Sequence, residues 1–212
     1  MEFESLIQQP ESRRDTQWEG QFLQTFPQMK VELESDQAKA GPDGWPYFFV
    51  KTAPDGSEPV KDILEWLAGR GIGLVVNAHK MMPDYVFTYG MLWNFVETGR
   101  FLEPQIERPA GSVTYSPDKP LVVGPPSEKY LPLYVREVLK EFLTAQGYLA
   151  PRVLVVSSQD YKEVDLVFST ESLNSLPTDQ HKVLAEQLAW FLPLHYNLVL
   201  GSEQGMPPFH AL

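Results

Sequence analysis

The chain has 212 residues, 43% of them apolar and 21% charged, a formal net charge of −11 and no cysteine. This composition suits a packed core of one large domain or two small ones. The charge argues against nucleic acid and anionic membrane as partners, and the lack of cysteine removes disulfides, thiolate metal sites and thiol nucleophiles.

Residues 1–44 read as a lead-in. Met1-Glu2-Phe3-Glu4-Ser5 has neither the basic nor the apolar stretch of a signal peptide. Asp15 or Thr16 is placed to cap a short helix with Trp18, Phe22, Leu23 and Phe26 on one face. Met29, Val31 and Leu33 alternate with Lys30, Glu32 and Glu34, the pattern of a half-buried strand. Residues 35–44 carry charge, alanine and Asp43-Gly44, and read as a loop.

Residues 45–110 read as a β-α-β unit with an aromatic extension. A short aromatic strand at 47–51 is followed by the turn Pro54-Asp55-Gly56. Ser57 is a candidate N-cap, with Pro59 just inside the helix, where a missing N–H costs nothing. Val60, Ile63, Leu64 and Leu67 form a helical stripe, and Gly69 is placed as a left-handed cap. The apolar run 72–76 predicts a strand buried on both faces, joined to the first by a right-handed parallel crossover. The aromatic segment 85–95 fits a strand, a helix or one of each.

Six prolines between residues 100 and 126 (Pro104, Pro109, Pro117, Pro120, Pro125 and Pro126) mark a boundary, with short strands expected at 112–115 and 121–123. Residues 111–212 read as a second α+β unit. Leu131, Val135, Val138, Leu139 and Phe142 mark a helix ending near Gly147. Residues 153–156 and the alternating Val164, Leu166 and Phe168 read as a hairpin around a polar turn. A second helix from Thr178 carries Val183, Leu184, Leu188 and Phe191 and stops at Pro193, and Tyr196, Leu198 and Leu200 alternate in a last strand. The expected fold class is α+β: two small α/β units, the second in α-β-β-α-β order.

Few constellations suggest chemistry. Gly69, Gly71 and Gly73 follow a helix and open a strand, the reverse of a dinucleotide fingerprint, so they read as a cap and a tight turn. Asn77, His79, Lys80 and Asp84 follow the candidate parallel strand, where open α/β sheets bind ligands. In a site there, His79 supplies a base, Lys80 an anion contact and Asp84 an orienting carboxylate; the plain alternative is a polar loop. His79, His181, His195 and His210 show no metal-ligand spacing, so no metal and no cofactor is expected. Ser157-Ser158 lacks the glycines of a nucleophile elbow. Tyr85, Phe87, Tyr89, Trp93 and Phe95 fall at even spacing, which fits a strand with one buried face. The functional alternative is an exposed aromatic patch, with Tyr85, Tyr89 and Trp93 as interaction residues.

Gly124-Pro125-Pro126-Ser127-Glu128 leads into a helix, the order α-β-β-α-β follows, and the last strand runs into Met206-Pro207-Pro208-Phe209-His210. In these features the second half resembles the C-terminal domain of the SseB family, bacterial proteins named for enhanced serine sensitivity. That family closes on a Pro-Phe-Tyr-like ending, where this chain has His210 in the third position. The resemblance implies a cytoplasmic bacterial accessory protein with no assigned reaction.

The sequence thus reads as a non-enzymatic interaction module with a protein partner or self-association, neither nucleic acid nor membrane, and a cytoplasmic location. The alternative is a small-molecule-binding protein or enzyme using the loop after Val76, with Asn77, His79 and Asp84.

Overall fold

A computed structural model of the chain describes residues 3–104, 120–159 and 164–212. The fold is α+β, and the chain divides into two compact units, Met1–Leu102 and Glu103–Leu212. The strand expected at 112–115 lies outside the described residues.

The first unit begins with α1 (Phe3–Ile7) and α2 (Thr16–Thr25). Asp15 is the N-cap of α2, its carboxylate accepting from the Trp18 amide at 2.9 Å. Strands β1 (Lys30–Leu33), β2 (Lys39–Ala40) and β3 (Pro46–Thr52) follow, then β4 (Glu58–Pro59), α3 (Val60–Ala68), β5 (Gly73–Val76), β6 (Tyr85–Phe87) and α4 (Tyr89–Thr98). The sheet order is β4-β1-β3-β5-β6, with β2 also on β3. Only β3 and β5 run parallel, Tyr47 opposite Gly73 and Val50 opposite Val76. The helix α3 makes the crossover that a parallel pair requires.

The residues of the lead-in share this unit's core. Phe22 stacks on Trp18 and Phe26 and on Tyr85 of β6, and Phe26 stacks on Phe87. The same cluster takes Val31, Val50, Leu64, Leu67, Leu74, Val76 and Leu92. These aromatic pairs add to the area they remove from water.

Several local expectations need correction. Pro59, not Ser57, occupies the N-cap of α3, and no side chain caps that end; the Ser57 hydroxyl donates instead to Glu58. Gly69 ends the helix at φ −81°, and the left-handed residue is Gly71 at φ +67°. The two-residue β2 lies within the expected loop 35–44 and pairs with the start of β3. Gly73 sits against the Tyr47 ring, where a Cβ would come within 2.6 Å of ring carbon. The segment 85–95 needs no correction: of its three readings the structure takes one of each, β6 followed by α4, with the Thr88 side chain capping the helix by accepting from the Met91 amide.

The second unit runs β7 (Leu121–Gly124), α5 (Leu133–Ala145), β8 (Arg152–Ser158), β9 (Val164–Ser169), α6 (Thr178–Phe191), β10 (Asn197–Gly201) and β11 (His210–Ala211). The sheet order is β10-β9-β8-β11, with β7 also on β8. β8 and β9 are antiparallel, as the hairpin reading requires, whereas β9 and β10 are parallel through α6. The strand ending at Gly201 is not the last: the Met206–Phe209 segment turns back so that His210 pairs with Val153.

The alternation expected of β9 is absent, since all residues from Asp165 to Ser169 are buried. The sheet is covered on both faces: Met206 and Phe209 pack with Leu154, Val156 and Val167. The helices α5 and α6 meet through Phe142 and Phe191, ring centroids 4.7 Å apart. Val135, Leu139 and Leu143 are the buried stripe of α5, with Val138 and Phe142 at its margin. Val183, expected in the buried stripe of α6, is 57% exposed, and Leu184 and Leu188 carry that stripe.

Candidate functional site

The loop 77–84 joins β5 to β6. Its first residue departs from strand geometry, with Asn77 left-handed at φ +58°, a conformation asparagine tolerates better than most residues. The Asn77 amide N–H still reaches the Val50 carbonyl at 2.8 Å. Its side chain then continues the sheet: Oδ1 accepts from the Thr52 amide at 2.8 Å, and Nδ2 donates to Thr52 Oγ1 at 2.7 Å. The loop closes where the Asp84 amide donates to the Val76 carbonyl at 2.9 Å.

Asp84 is the centre of this arrangement, and its side chain is 0% exposed. Oδ1 accepts from the Arg14 guanidinium at 2.7 Å. Oδ2 accepts from Asn77 Nδ2 and from Lys80 Nζ, each at 2.5 Å. Burial by itself raises a carboxyl pKa. Here the hydrogen bonds from Lys80, Asn77 and Arg14, with the Lys80 charge, outweigh that cost and hold Asp84 below its ordinary value.

Arg14 also donates to the carbonyls of Gln9 and Ile7. The carboxylate therefore ties the segment between α1 and α2 to the β5–β6 connection, 70 residues away. Arg14 is the residue that sequence reasoning missed. Its signal in the sequence is slight, one of two adjacent arginines ahead of a helix cap.

The structure brings Asn77, Lys80 and Asp84 together and leaves His79 apart. His79 is half exposed, with Nδ1 3.3 Å from a Glu34 carboxylate oxygen beyond the end of β1. The three clustered residues bond to one another, to Arg14 and Thr52, and through Lys80 to the Ile7 carbonyl at 3.4 Å. A general base needs a lone pair facing substrate, and the Asp84 carboxylate is wholly buried, with internal donors on both oxygens. The arrangement is a latch, chemically suited to hold the loop rather than to move a proton.

The latched loop carries an apolar tip. Met81 is 99% exposed and Met82 55%, ahead of Pro83. Two grooves lie elsewhere, one of about 480 Å³ along Leu23, Gln28, Lys61 and Phe95, the other of about 570 Å³ along Lys140, Leu149, Arg152 and Glu171. The loop lines neither.

The expected interaction residues divide. Tyr85 is partly buried, and its hydroxyl donates to Glu19 at 2.6 Å. Burial and that carboxylate push its pKa far up. Tyr89 and Trp93 are 0% and 2% exposed, and the Tyr89 hydroxyl donates to the Ala68 carbonyl at 2.6 Å. This corrects the reading of Tyr89 and Trp93 as a surface patch: the even spacing places them one helical turn apart on α4, on a buried side.

No family model, no curated protein and no solved structure matches the chain. Among the described residues, no group of three histidine, aspartate or glutamate side chains is placed to hold a metal ion. No helix among them is long and apolar enough to cross a membrane.

Proposed function

We propose that the protein is a non-enzymatic interaction module and that the tip of loop 77–84 is its contact with another protein. One observation carries this reading: Met81 is held almost wholly in solvent on a loop whose base is fastened by a buried carboxylate. Exposed methionine is an apolar, adaptable side chain favoured at binding surfaces. Fixing its loop beforehand reduces the ordering cost of association. The accessory role in a bacterial cytoplasm that the SseB resemblance implies belongs to the same proposal.

The rival, a small-molecule site at His79, has the position beyond a parallel strand in its favour. The complete burial of the Asp84 carboxylate counts against it. The test compares wild type, the double variant Met81→Ser/Met82→Ser, and His79→Ala. A protein recovered from native lysate by wild type and His79→Ala, but not by the double serine variant, is the expected result. A metabolite that raises the Tm of wild type and not of His79→Ala overturns it, as does a partner captured equally by all three.

A further inference from the structure

The margin of a sheet presents unpaired N–H and C=O groups, and folded proteins guard them with short strands, prolines, charges or bulges. Most margins in this protein are guarded in that way. In the first unit β4 has two residues, one of them Pro59, and β6 has three before the cap of α4. In the second unit the β8 side of the sheet is divided between β7 and β11. β7 is bracketed by Pro120 and Pro125-Pro126, and β11 is two residues long.

The opposite margin of the second unit is different. β10 is Asn197-Leu198-Val199-Leu200-Gly201, five residues with no charge and no proline, each partly exposed. Among the described residues its ladder lies on one side only, from Asn197 opposite Asp165 to Gly201 opposite Ser169. The further backbone contact at Gly201, from the Thr170 amide at 2.9 Å, lies at the end of that same ladder. Of the charges nearest the strand, Asp165 accepts from the Asn197 side chain, Glu203 pairs with Arg152 at 2.7 Å, and Glu171 accepts from Ser202 and the Glu203 amide just past the strand's end.

We propose that two copies of this chain pair antiparallel along β10, joining two sheets across a twofold axis. A chain of net charge −11 repels its own copy over most of its surface. The five residues of β10 add no charge of their own to that repulsion. The strand is also self-complementary about its centre. Twofold pairing sets Val199 opposite Val199, Leu198 opposite Leu200 and Asn197 opposite Gly201, with no like charges facing. A twofold contact of this kind closes on itself, so it ends at a dimer.

Sedimentation velocity of the full chain from about 1 to 100 µM tests the proposal. The expected species is about 48 kDa, twice the 24.1 kDa monomer. A monomer across the whole range overturns it and leaves the margin to a strand of some other protein.

Hydrogen exchange at both ends of that range locates the contact. Amides of residues 197–201 should slow about tenfold or more at the high concentration, and a dimer without slowing there overturns the proposal. The variant Val199→Lys sets two lysines face to face and should give a folded monomer; a folded dimer refutes pairing at this strand. Val199 packs against the Leu154–Val156–Val167 cluster, so if the variant fails to fold, the exchange data on wild type decide. The Met81–Met82 tip belongs to the other unit, and a monomeric result leaves the reading of that tip standing.

Discussion

Asp84→Asn keeps the shape of the side chain and removes its charge. In the folded protein Oδ1 faces Arg14, and Oδ2 faces both Lys80 and Asn77. An asparagine has one acceptor oxygen and an amide that donates. Whichever way it turns, one side of the latch meets a donor facing a donor. Removing one partner of a buried ion pair costs about 3–5 kcal/mol. Lys80 is a third exposed, and Arg14 keeps the carbonyls of Gln9 and Ile7. Both cations are then partly compensated, which places the loss at the lower end, about 3 kcal/mol. The chain has two units, so a single unfolding curve does not isolate the first. Urea-dependent hydrogen exchange read on peptides of α2 and of β5–β6 does. A loss below about 1 kcal/mol in those peptides refutes the latch as an energetic element.

The same carboxylate sets a pH dependence. Its folded pKa lies below the ordinary 3.8, so its stabilisation is complete above that value and is lost as pH falls through the lower folded value. Below about pH 4, wild type should lose first-unit stability more steeply than Asp84→Asn, and parallel pH profiles would contradict this.

Three further outcomes follow from burial and packing. Leu139→Ala, at a fully buried position of α5, should cost about 2–5 kcal/mol in the second unit, and a loss below about 1 kcal/mol in urea-dependent hydrogen exchange of α5 peptides would place that stripe at the surface. Gly73→Ala sets a Cβ 2.6 Å from the Tyr47 ring and 2.8 Å from the Phe87 carbonyl oxygen. It should destabilise the first unit by about 1–3 kcal/mol, and a neutral Tm would show that Tyr47 can move aside. His79→Ala, at a half-exposed side chain, should change stability by less than about 0.5 kcal/mol in the hydrogen exchange of first-unit peptides.

The elements set by local pattern were legible in the sequence, and those set by distant partners were not. The stripe Val60, Ile63, Leu64 and Leu67 names its own helix, and the strands flanking it imply the parallel crossover seen between β3 and β5. Residues 85–95 were ambiguous because Tyr85 and Phe87 alternate as in a strand, while Tyr89 and Trp93 are spaced as in a helix. The switch lies in one side chain, the Thr88 cap. β9 appeared one-sided because its second cover, Met206 and Phe209, arrives about forty residues later in the chain and carries no periodic signal. The cluster of Asn77, Lys80 and Asp84 was visible as a polar loop after a strand. Its role was not, because the residue that decides it is Arg14, across a separation no local window spans.

The aromatic stack of the first unit also has a history in time. Trp18, Phe22 and Phe26 are made early, and the rings that cover them, Tyr85 and Phe87, come about sixty residues later in synthesis. At roughly 5–20 residues per second, about 3–12 s separate these rings from Tyr85 and Phe87, and until then Phe3 is the aromatic partner that Phe22 and Phe26 already have. During that interval part of the stack's apolar surface is uncovered, and surface of that kind is what draws chaperones and neighbouring chains.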